Sequence, residues 1–176
     1  MPSGLIRVGM TWEQYLNLDE PRLSEYYAGA LVVVPHNSPR HRRLSDRLAE
    51  ILQSYHPEGT QVTRGWGWSP DGVRERLVPD LMVHAADDVR PNVSGPPALV
   101  VDIRTSRPHD DHVAKAERYA AWGAPAYWLV DPDRPVLVTH ELRGGRYAQS
   151  GRWSGGRVRL SYAGIEVPVD LSELFG

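Results

Sequence analysis

Three residues of this chain pair a reactive side chain with an unusual setting: Asp80 in VPDLMVH, Asp102 in ALVVDIR and Lys115 in DHVAKAERYAAW. An aspartate inside so apolar a run is costly unless it is paired, hydrogen-bonded or coordinating a cation. Lys115 is the sole lysine; the other 19 of the 20 basic residues are arginine. An ammonium can lose its proton when its surroundings lower the pKa, whereas a guanidinium in practice cannot. Two carboxylates and a lysine converging on one sheet edge suit metal-assisted hydrolysis of a phosphodiester. Hard oxygen ligands hold Mg²⁺ (or Mn²⁺), and the metal polarises the phosphoryl oxygen and acidifies its bound water. The lysine orients or deprotonates that water, or neutralises charge developing on phosphate. An Asp–Lys ion pair that merely ties a helix to a sheet would leave the same spacing, so spacing alone does not separate the two.

The elements that position these residues follow from periodicity. Alternation over 80–84 puts Asp80, Met82 and His84 on one strand face; in 98–104, Asp102 and Arg104 share a face while Val101 and Ile103 point away. A helix over 110–122 carries His112, Lys115, Tyr119 and Trp122 on one stripe, capped by Asp110 or Asp111 and stopped by Gly123 and Pro125. Upstream, Thr11 caps a helix in WEQYLNL, and two short strands over 24–35 turn at Ala28-Gly29. The clearest helix, 38–55, lines up His41, Leu44, Leu48, Ile51, Leu52 and Tyr55. Residues 61–68 read as a strand, and the turn SPDG at 69–72 makes a hairpin with the segment entering Asp80. A strand over 126–130 ends at DPDRP. A hairpin then joins 136–142 to 146–153 across Gly144-Gly145, and the tail closes on the helical turn LSELF. The order predicts an α/β (α+β) fold with a mixed sheet flanked by helices. We expect residues 1–176 to form a single domain, with an N-terminal helix and strands over 10–35, a core over 38–131, and a C-terminal hairpin and tail over 136–176.

Composition narrows the classes. With 41% hydrophobic and 24% charged residues the 176-residue chain is of globular type. Its apolar runs are too short to span a bilayer, its first residues lack a secretory pattern, and it has no cysteine, so the expectation is a cytoplasmic protein without membrane contact. The net charge of −2 speaks mildly against a dedicated nucleic-acid binder. Basic residues nonetheless cluster at 39–47 (PRHRRLSDR), with others at Arg143, Arg146, Arg152, Arg157 and Arg159. Either set could meet phosphates. The segment PHDDH at 108–112 could bind a metal, but acids there suit a helix start. Neither a G-x-S-x-G elbow nor a phosphate-cradling G-x-x-x-x-G-K-[ST] loop is present.

VPD at 78–80, VVDIRTS at 100–106 and DHVAKAERYAAWGAPAYWLVDP at 111–132 resemble, in order and joint spacing, the Uma-two family of restriction-endonuclease-like proteins, within the PD-(D/E)XK nuclease superfamily. YYAGALVVVPHNSPRHRRLSDRLAEIL at 26–52 and the tail with GGRY and VDLSELF are similar as well, so the resemblance spans roughly 10–175. It implies a restriction-endonuclease-like core, DNA as substrate, and Asp80 and Asp102 as metal ligands. Lys115 would be the reactive lysine relocated onto the following helix, with Glu25 and His41 completing the catalytic set. Asp111 and Tyr119 match residues flanking that lysine, and Tyr119 is expected at the substrate. Arg104 takes the place where such enzymes usually carry the lysine, two residues after the second acid, and would contact phosphate. Two departures stand out: Ala28 replaces the usual aspartate before the turn glycine, and Asp102 is one methylene shorter than the common glutamate. The alternative is a nuclease-fold binding module with a relaxed acidic site. A homodimer is expected, both from the resemblance and from six tryptophans and eight tyrosines.

Overall fold

The two aspartate-bearing segments form the middle of a six-stranded sheet. A computed structural model describes residues 5–19, 24–33, 37–88, 92–104 and 109–176, the side chains of His109 and Asp110 excepted. Within it β6 (Leu81–Ala85) and β8 (Leu99–Ile103) run antiparallel, with Leu81 opposite Val101. Helix α3 (His109–Ala121) then carries the chain to β9 (Ala126–Asp131), which pairs in parallel with β8. A hairpin of β10 (Val136–Arg143) and β11 (Arg146–Trp153) extends one side, and β4 (Thr60–Arg64) the other. The order is β11-β10-β9-β8-β6-β4, a mixed sheet flanked by helices as expected.

Alternation sorts the side chains into two cores. Leu81, Val83, Leu99, Val101 and Ile103 pack against α2 (Pro39–Ser54) through Leu44, Leu48 and Leu52. That core also takes in a C-terminal hairpin, β12 (Arg157–Tyr162) and β13 (Ile165–Asp170), and α4 (Leu171–Phe175). Each such aliphatic side chain contributes about 1.5–3 kcal/mol on burial. Met82 and Val100 face the other way, against Tyr119, Tyr127 and Trp68. Asp102, one residue from Val101, is therefore turned toward α3. Helix α2 starts cleanly because Ser38 accepts from His41 N at 3.1 Å and Pro39 occupies the first turn.

A smaller sheet lies at the N-terminal end: β1 (Ile6–Gly9), β2 (Ser24–Tyr27) and β3 (Ala30–Val33), in the order β1-β3-β2. Helix α1 (Trp12–Leu16) joins β1 to it, closed by a reciprocal Thr11–Gln14 capping box. Ala28 and Gly29 make the β2–β3 turn, both at positive φ (51° and 71°), as a two-residue hairpin requires.

The structure departs from the sequence reading in three places. The strand expected over 61–68 breaks after Arg64, and β5 (Gly67–Trp68) pairs instead with β7 (Asn92–Val93). The break falls at Gly65, at φ 64°, and Arg76 then lies on Gly67, where a Cβ would sit 2.3 Å from its guanidinium. The expected hairpin partner of that strand forms only a bridge between Trp68 and Leu77. Strand β1 and the β12–β13 hairpin were not anticipated. The cap expected at Asp110 or Asp111 lies at the edge of the described residues. No helix among them is long and apolar enough to cross a membrane.

Candidate active site

Asp80 enters β6 directly after Pro79, and Asp102 sits mid-strand on β8, its neighbour in the sheet. Their carboxylates are cross-linked through the backbone: Ile103 N donates to Asp80 Oδ2 at 2.7 Å, and Asp80 N to Asp102 Oδ1 at 3.4 Å. Asp80 keeps 22% of its side chain exposed, whereas Asp102 keeps 3%. The pair is therefore layered, one acid at the surface and the other behind it.

Lys115, on the buried stripe of α3, brings its ammonium 2.8 Å from Glu25 Oε1 and 3.7 Å from Asp102 Oδ1. Glu25 is fully buried in β2, and its Oε1 also accepts from Val78 N at 3.0 Å. One carboxylate thus anchors both the lysine and the segment that delivers Asp80. On the other flank His41, in the first turn of α2, places Nε2 3.0 Å from Asp80 Oδ1. The five residues expected from sequence to share a site (Asp80, Asp102, Lys115, Glu25 and His41) are brought together, although they come from β2, α2, β8, α3 and the segment entering β6.

Of the two further candidates, Tyr119 adjoins this group. It is fully buried; its hydroxyl points at Asp102 Oδ1 at 3.5 Å, and its ring lies 5.9 Å from the Lys115 ammonium. It backs the acid from inside the core. Arg104 turns its guanidinium to Asp131 Oδ2, 3.1 Å away at the end of β9.

Tyr127 was not anticipated. It stands beside Val100 on the α3 face, the face toward which Asp102 is turned. Only its parity in the strand signalled this. Burial, reinforced by the Asp102 charge, holds both Tyr119 and Tyr127 well above the ordinary phenol pKa, so both stay protonated donors. Asp111, one turn before Lys115, accepts from Tyr27 OH. Burial lifts its pKa to about 6; Glu25 pushes the same way, while Lys115, Arg7 and Arg118 oppose.

Asp80 opens onto a cleft of about 420 Å³, walled by His41, Arg42 and Ser45 of α2 and by Arg64 and Pro79. An ion pair between Arg64 and Asp46 sits at its mouth. The residues fit a divalent cation of the Mg²⁺ type. Their donors are hard carboxylate oxygens, two in number, and Mg²⁺ is commonly held by one or two carboxylates while keeping several waters. Among the described residues no cluster of three or more His, Asp or Glu surrounds a single point, as a cage binding the ion without water would need.

Residues 12–169 match the model of the family Uma2, described as "Putative restriction endonuclease". The fold is also similar to the crystal structure of "a putative nuclease belonging to DUF820" from Anabaena variabilis. The TM-score is 0.76 over 94% of this chain and 97% of that one, at 15% sequence identity, and such a likeness speaks to the fold. No curated protein matches. With nearly its whole length inside the family model, the chain belongs to the Uma2 family.

Proposed function

We propose that the protein is a nuclease that hydrolyses DNA phosphodiester bonds with Mg²⁺ or Mn²⁺ bound at Asp80 and Asp102. The observation that carries this reading is the layered carboxylate pair, interlocked through Asp80 N and Ile103 N, with a lysine 3.7 Å from its inner member. A bound divalent cation supplies Lewis-acid polarisation of phosphate and an acidified water. Lys115 holds positive charge against the inner acid, and Glu25 fixes its direction. His41 walls the cleft beside Asp80, with Nε2 3.0 Å from Asp80 Oδ1, and an imidazole so placed suits proton transfer. Arg42 lines the cleft from α2, and Arg40 and Arg43 are exposed on the same helix; such groups suit phosphates. Arg47 is instead spent on the carbonyls of Glu173, Leu174 and Gly176. Arg143, Arg157 and Arg159 are paired with Glu141, Asp170 and Glu166.

One observation favours a second reading. Lys115 is only 4% exposed and enclosed by carboxylates, as a purely structural cation would be, which suits a nuclease-fold protein that binds without cutting. Cleavage of single- and double-stranded DNA with Mg²⁺, Mn²⁺ or EDTA, run beside fluorescence-anisotropy binding, tests both. Metal-dependent cutting that disappears in Asp80→Asn and Asp102→Asn is the expected result. DNA binding without cutting in either metal moves the second reading ahead, and the absence of both overturns DNA as the ligand.

A further inference from the structure

A cavity of about 620 Å³ lies away from the acidic cleft, between α3 and the β9–β11 sheet. Its volume falls in the usual range for small-molecule sites. Its floor is aromatic. Tyr127 stacks on His140 and on Tyr147, with ring centroids 5.4 and 5.3 Å apart and interplanar angles of 28° and 24°. The opposite wall carries the small side chains Ala116 and Ala120, which leave room for an inserted ring. His140 Nδ1 faces the Tyr127 carbonyl at 3.3 Å. Burial lowers the His140 pKa, so the ring is neutral at pH 7 with Nδ1 donating and Nε2 left as an acceptor. Arg146 lines the rim, while its strand neighbour Arg143 is committed to Glu141.

We propose that this cavity binds a nucleotide, with the base against the half-buried His140 and Tyr147 rings, which buried Tyr127 backs from the core, and the phosphate at Arg146. Aromatic faces take any base by stacking, a neutral imidazole reads an amino edge, and an exposed guanidinium suits phosphate. The site does not depend on the nuclease reading, because binding here needs neither the acids nor a metal. Two sources share this chemistry: a free mononucleotide and an unstacked base of a single strand.

Saturation-transfer NMR and calorimetry with 5′-AMP, adenosine, inorganic phosphate, a short oligo-dA and a DNA duplex separate these sources. The protein is compared with Arg146→Ala, on the exposed rim, and with Ala116→Phe, which fills the space. Binding of 5′-AMP assigns a free nucleotide; binding of oligo-dA with 5′-AMP silent assigns a strand base. In either case affinity should fall about tenfold or more in Ala116→Phe, as expected for loss of one stacked base, and severalfold in Arg146→Ala. Silence of both ligands overturns the proposal. So does binding that both variants leave unchanged, or phosphate competing as well as 5′-AMP.

Discussion

Lys115 is enclosed by Glu25 at 2.8 Å, Asp102 at 3.7 Å and the Tyr119 ring at 5.9 Å, so its replacements separate charge from shape. Lys115→Met strips the cation from two buried acids and should cost roughly 3–5 kcal/mol of stability, visible in a denaturant melt. Lys115→Arg keeps the charge in a planar, bulkier group that does not deprotonate. If the ammonium places or deprotonates a water, metal-dependent cleavage by the arginine variant should drop on the order of 10²–10⁴-fold. A variant that cuts as fast as the parent would make Lys115 a structural cation. Asp111 offers a second handle. Its pKa rises from 3.8 to about 6 on folding, through burial first. Between those values the unfolded chain has lost a proton that the folded chain keeps, so stability falls as pH rises through this window and levels off above it. The loss is on the order of 3 kcal/mol. Asp111→Asn removes it. Unfolding free energies at pH 4 and pH 7 should therefore shift in favour of the variant by a comparable amount, and parallel curves would refute the assignment.

Elements set where those residues meet, and the β2–β3 hairpin is one that can be improved. Ala28 sits at φ 51°, where a side chain is strained and Asn is better tolerated than Ala. Ala28→Asn gives the Asn-Gly pair that two-residue hairpins favour and should add about 0.5–1 kcal/mol. The thermal midpoint should rise while Glu25, three residues away, keeps its contacts; a lower midpoint would sink the argument. This hairpin was legible in the sequence because Ala-Gly between apolar runs is a turn signal. The same signal stands at Ala163-Gly164, where φ values of 48° and 74° close β12 onto β13, a hairpin that was not anticipated. Asp80, Asp102 and Lys115 could be found because each breaks a local apolar pattern. The packing of Tyr127 behind Asp102 could not, since a tyrosine in a buried strand breaks nothing. The break at Gly65 had a local sign, a glycine inside a strand pattern at φ 64°, whereas the approach of Arg76 to Gly67 is a long-range contact that no local pattern carries.

At the scale of the whole molecule, the aromatic surplus that suggested an interface is mostly inside. Trp68, Trp128 and six of the eight tyrosines are buried, and none of the other four tryptophans is fully exposed. Among the described residues, three of the seven exposed large hydrophobics lie on the N-terminal sheet, Ile6 at 61%, Val8 at 44% and Val33 at 39%; the others are Leu16, Leu18, Tyr55 and Val113. Arg7 turns inward onto the Tyr27 ring, 4.7 Å from its centroid, so by alternation Ile6 and Val8 point outward. Strand β1 is also an edge, paired with β3 alone. An apolar edge strand is a template for another strand, and a twofold pairing of β1 with the β1 of a second copy would be self-complementary. The expected assembly is therefore a homodimer through β1, with light scattering giving twice the 19.7 kDa chain mass. Val8→Lys places a charge on that edge without touching either core. It should yield monomers with an unchanged melt, and any cleavage should shift from double-strand cuts toward nicks. A parent protein that stays strictly monomeric at high concentration would exclude the dimer, and a Val8→Lys protein that still dimerises would move the interface away from β1.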